Sequence, residues 1–201
     1  MTDAELTSIT WPYTSIFREP AAPGLVPGIA KPYDRAPEAA ERLAASFELM
    51  AALLADANLV DVLTLVVERA RPMAGALVAF MALPGEVNNT LTVDIAIGMN
   101  ADHIRGLSIR VGTSVIGRAY ATGRAQVSRV AAGSPLKGVP TGPILLLPLD
   151  TGERTCGVLA LAGRPNDMPF TPSAKRQLLI FATTSAIMIE MAEQRRENNG
   201  S

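Results

Sequence analysis

Residues 112–127, GTSVIGRAYATGRAQV, and residues 143–163, PILLLPLDTGERTCGVLALAG, decide the fold. In the first stretch Gly112 and Gly117 bracket a short apolar turn. A compact helix over 113–121 then leads through Gly123 to a strand, Ala125 to Val130. In the second stretch two apolar runs are joined by a polar turn that contains Gly152, the pattern of a β-hairpin. Ile144 to Leu147 shows no polar alternation, so both faces of that strand are expected to be covered.

Working outward, Thr171 can cap a last helix over 172–195 that Pro172 opens. Gln177 to Ile189 carries no charge, and its apolar residues point in nearly every direction. A helix apolar all round is buried all round, so one side is expected on the sheet and the other against a second copy. Upstream, Asn58 is placed to cap a helix over 59–71 whose inner face is Leu59, Val62, Leu63, Val66, Val67 and Ala70, with Pro72 ending it. Strands are expected over 75–83 and 91–98, with a loop or short helix over 99–111. An earlier helix over 37–55 shows a heptad-like stripe, Ala40, Leu43, Phe47, Met50 and Leu54, suited to pairing in a helix bundle or to an intradomain face. Residues 1–36 form a Pro-rich arm that also holds Trp11, Tyr13, Phe17 and Tyr33. A flexible arm and one that packs on the domain or a partner both fit this composition. The domain is expected over 37–197, with a flexible tail over 198–201.

The composition narrows the function classes. Of the 201 residues, 48% are hydrophobic and 18% charged, and the net charge is −1. That balance favours neither nucleic acid nor acidic membranes. No run reaches the roughly 18 apolar residues a membrane span needs, and the first residues lack the pattern of a secretory signal, so a cytoplasmic location is expected. Cys156 is the one cysteine and His103 the one histidine. A lone cysteine makes no internal disulfide and no cysteine-based metal site. A single histidine without a nucleophile in motif context builds no hydrolytic triad. The glycines of 112–123 do not form a phosphate loop, because no GK[ST] follows and no strand leads into GxGxxG. Neither catalytic residues, a metal site nor a cofactor is therefore expected.

The pieces Gly112, Ile116-Gly117, Ala119, Ala121, Thr122-Gly123 and Val127, with Leu147-Pro148-Leu149 and Gly157-Val158-Leu159, resemble the GAF family of small-molecule sensory domains. The resemblance implies an α/β fold of the α+β type. It is a sandwich with a central antiparallel sheet of five to six strands and a layer of N- and C-terminal helices on one face. It also implies a sensor kinase or transcriptional regulator context, with homodimerisation through helices 37–55 and 172–195 and a downstream signalling partner. Family members that reduce free methionine sulfoxide use several cysteines, which this chain lacks, so no enzyme is expected. Haem-binding members place a histidine in the loop that is here 131–142, and this loop has no His, Cys, Met or Tyr. Bilin binders use a Cys-His pair, also missing. The cyclic-nucleotide motif is matched at Asn166 and Phe170 only.

What remains is a small, mostly apolar effector held on the sheet. The candidate lining is Met81, Ile97, His103, Ile109, Val115, Ile116, Tyr120, Val127, Leu145 and Leu147. The sequence leaves the inward parity of the strands open, because a slip of one residue exchanges the faces. A packed core with no ligand, in a domain that only dimerises, is one alternative, and a haem or cyclic-nucleotide sensor is the other.

Overall fold

The structure, a computed structural model, describes residues 44–46, 48–52 and 57–199. The expected arm, the start of the first helix and residues 200–201 lie outside the described residues. Six antiparallel strands form one sheet in the order β3-β2-β1-β6-β5-β4. They are β1 (Val78–Pro84), β2 (Thr90–Gly98), β3 (Ser108–Arg110), β4 (Gln126–Val130), β5 (Gly142–Asp150) and β6 (Thr155–Ala162). The helices are α1 (Leu59–Met73), α2 (Ala101–Ile104), α3 (Val115–Thr122) and α4 (Pro172–Asn199).

The apolar pattern divides this sheet into two cores. On one face α1 and α4 pack through Val62, Val66, Leu178, Phe181 and Ala186 against Met81, Leu145, Leu147, Leu159 and Leu161. Ala45 and Leu49, in the helical residues 44–46 and 48–52, join the same layer. Met50 of the expected heptad stripe is instead 49% exposed, so the buried face of this stretch runs through Ala45 and Leu49. On the other face α2, α3 and the segment 131–141 cover Phe80, Leu91, Val93, Ile144, Leu146 and Ala160.

Local chemistry sets the element ends. Asn58 Oδ1 accepts from the Asp61 N–H at 3.0 Å, and Thr171 Oγ1 from the Ala174 N–H at 3.1 Å, so both expected caps form. Pro72 lies inside the last turn of α1 and does not end it; the helix runs to Met73, with Ala74 as its C-cap. A proline near a helix end removes a single hydrogen bond, which is a milder break than one in mid-helix. Residues 198 and 199 continue α4, where the sequence suggested a tail.

Candidate functional site

The helix α3 is placed by two contacts that its sequence dictates. Ser114 caps it, accepting from the Gly117 N–H at 2.8 Å and donating to the Arg110 carbonyl at 3.1 Å. Gly117 lies so close to β3 and its exit that a Cβ there would fall 2.8 Å from the Val111 Cα and closer still to the Arg110 carbonyl. The glycine in Ile116-Gly117 is thus a close-packing position, as the absence of a phosphate-loop context suggested. Ile116 and Ala119 then enter the core on the α3 side of the sheet, with Val115 and Tyr120 partly buried beside them.

The register settles the parity. Leu146 pairs with Ala160, and Ile144 with Ala162, on the face beneath α3, while Leu145 and Leu147 pair with Leu161 and Leu159 on the face beneath α4. In β2 the register shifts opposite Met81/Ala82, so that Met81 pairs with Ile95 and Ala82 with Val93, leaving Asp94 as the extra residue. The bulge reverses the alternation, turning Ile95 and Ile97 toward α1 and α4 while Leu91 and Val93 face α3.

The ten candidate residues therefore do not share one site. Ile109, Val115, Ile116 and Tyr120 are brought together on the α3 face. Met81, Ile97, Leu145 and Leu147 lie in the opposite core. Val127 pairs with Leu145 on the edge strand and is 37% exposed. His103 is exposed on α2 and stands beside the segment 131–141. The larger residues that occupy the α3 face outside the candidate lining include Phe80, Ile104, Leu136, Val139, Ile144 and Leu146. One signal for this parity was present. Ala160 and Ala162 alternate with Leu159 and Leu161, and small strand residues belong under a closely approaching helix such as the one carrying Gly117 and Ala119.

This face is filled by side chains. Phe80, Ile104, Ile116, Ile144 and Leu146 are fully buried, and Leu136 and Val139 reach 8% exposure from the irregular segment above them. Next to it opens a cleft of about 370 Å³ between the start of α3 and that segment, bordered by Ser114, Val115, Val130, Ser134 and Leu136. A second cleft of about 340 Å³ lies among Gly75, Pro143, Met168 and Phe170, and Arg129, which borders the first cleft, is the cross-strand partner of Pro143.

Two further features concern chemistry and linkage. Burial pushes the Cys156 thiol up, which lowers its thiolate fraction at neutral pH. Among the described residues no group of three or more His, Cys, Asp or Glu side chains could hold a metal ion. The β5–β6 turn is tied to α4 by Arg154, which donates to Glu190 at 3.2 Å and to Glu193 at 2.6 Å. Those two hydrogen bonds, that to Glu190 foremost, hold the guanidinium pKa above its ordinary value. The base of the same turn touches the C-cap of α3, where a Cβ on Gly123 would lie 2.7 Å from Asp150 Oδ2.

Comparisons with known proteins agree with this architecture. The family model for the GAF domain matches residues 56–190. The GAF-B domain of DevS from Mycobacterium smegmatis superposes with a TM-score of 0.62 at 25% identity, over 70% of this chain and 98% of that one. The GAF domain of the Acinetobacter phosphoenolpyruvate-protein phosphotransferase gives 0.63 at 16% identity, over 79% and 96%. The free methionine-R-sulfoxide reductase of Neisseria meningitidis gives 0.53 at 18% identity, over 66% and 78%, a likeness of fold alone. No curated protein matches the sequence. Among the described residues no helix is long and apolar enough to cross a membrane.

Proposed function

The chain belongs to the GAF domain family, a sensory family of signalling proteins, and on that premise we propose that it is a ligand-responsive regulatory domain with no chemistry of its own. Its effector is a small, mostly apolar molecule taken up on the α3 face of the sheet. The observation that carries this reading is the asymmetry of the two cores. One is roofed by the 15-residue α1 and the 28-residue α4. The other is roofed by a four-residue helix, an eight-residue helix and an irregular segment, with an open cleft alongside. Short, separately held pieces can rearrange around a guest at less cost than two long packed helices.

The signal would leave through α4. Binding that shifts α3 acts on Asp150 at the α3 C-cap, and Arg154 carries the turn's position to Glu190 and Glu193. A ligand can shift this arrangement only by its difference in affinity for the two states. We further propose a homodimer that passes the shift to a kinase or transcriptional output in the cytoplasm. Ile180, Ile187 and Met191 support the dimer, being 60%, 46% and 47% exposed along one side of α4 where a second copy would cover them. Thermal unfolding across a metabolite panel, with native mass spectrometry for retained ligand and subunit count, tests the reading. A ligand-stabilised dimer is expected.

The filled α3 face favours a second reading, a dimerisation module that binds no effector. A tight dimer that no metabolite stabilises would establish that reading and sink the first.

A further inference from the structure

We propose that Leu136 and Val139 are a built-in plug for the α3-side core, and that segment 131–141 is the gate through which the effector enters. This rests on the sensory reading above and adds to it how access is controlled. Leu136 belongs to two places at once. It borders the open cleft with Ser114, Val115 and Ser134, and it is one of the buried residues of the cluster that holds Phe80, Ile116 and Ile144. The open space and the apolar layer are therefore separated by this side chain together with Val130 and Val115, which also border both, and of the three only Leu136 stands on the irregular segment. Were Leu136 to swing outward, the cleft would run on into the layer beneath.

The segment that carries the plug is held in a way that suits a gate. Its backbone bonds are local turns: Ser134 to Ala131, Lys137 to Pro135 and Val139 to Leu136. Neither ladder nor helix continues through it. A clasp from outside fastens it, the Asn100 side-chain amide donating to the Gly138 carbonyl at 3.1 Å. Asn100 itself adopts a left-handed conformation, with φ of 56°. Gly138, at φ +84°, presses against α2, since a Cβ there would lie 3.0 Å from the His103 Cβ. Gate and clasp thus meet between Leu136 and Val139, so loss of that hydrogen bond would loosen the stretch that carries both apolar side chains, leaving their burial as the remaining hold. The occupant they stand in for has an apolar portion a few carbons long and a polar end left in the cleft near Ser114 and Ser134.

The test uses the full chain, amide hydrogen exchange and 1-hexanol as the probe. Asn100→Asp keeps a residue that tolerates the left-handed backbone but cannot donate to Gly138. The variant is expected to speed exchange across 134–139 about tenfold while leaving β6 unchanged. Because apparent affinity scales with the open fraction, hexanol should bind it more tightly by that same factor. Leu136→Ser, which removes the plug's apolar body, should likewise bind hexanol more tightly than the unaltered chain. The proposal is overturned if 134–139 exchanges only together with β6, or if neither variant gains affinity for hexanol. A panel metabolite that binds while 134–139 stays as protected as in the free protein would overturn the gate and leave the sensory reading standing.

Discussion

The two faces of one sheet are built from similar strands but roofed in different ways. Beneath α1 and α4 the strands present leucines: Leu145, Leu147, Leu159 and Leu161 are all fully buried. Beneath α3 the same two strands present Ile144, Leu146, Ala160 and Ala162, and the small residues let short elements lie close. The first face buries long, continuous helices and ties the fold together. The second is closed by pieces that are each held by a few local bonds, and it is there that a signalling domain can change shape without unfolding.

This contrast predicts a ranking of substitutions. Phe181→Ala, on the α4 side, should cost about 3–5 kcal/mol in urea unfolding, because both long helices limit how far the cavity can collapse. Gly117→Ala should cost about 1–3 kcal/mol, since its Cβ must displace β3 or its exit, where the Val111 Cα lies 2.8 Å away. Leu136→Ala should cost about 2 kcal/mol, the low end for a leucine, because an irregular segment can settle into the space. A Leu136→Ala cost equal to that of Phe181→Ala would break the distinction between the faces. Arg154→Ala should lower global stability by about 1 kcal/mol at most, because the arginine side chain is 55% exposed, although Glu190 and Glu193 are partly covered. Its visible effect should be faster amide exchange in the last turns of α4. Unchanged exchange there would remove Arg154 from the proposed route.

Much of the frame was legible in the sequence, and the failures have physical causes. The hairpin, the helix after Ser114 and the caps at Asn58 and Thr171 each follow from strictly local chemistry, and each forms. The short β3 was hidden because Ser108–Arg110 is too brief to show a period. The lining parity was hidden for two reasons. Ile144 to Leu147 is apolar on both sides, so alternation carries no information, and the bulge at Asp94 reverses the face of Ile97 relative to Leu91. Leu136 and Val139 carry no sequence signal of burial, because the irregular segment 131–141 has no period that would mark its apolar residues as inward.

We propose that the α3 face senses and the α4 face transmits. This is tested most directly by amide exchange of the full chain with and without whichever metabolite stabilises it in the thermal panel. Binding is expected to alter exchange in residues 115–122 and 131–141 and, through Arg154, in 186–195. Changes confined to α1 and to the cleft around Gly75, Met168 and Phe170 would contradict it.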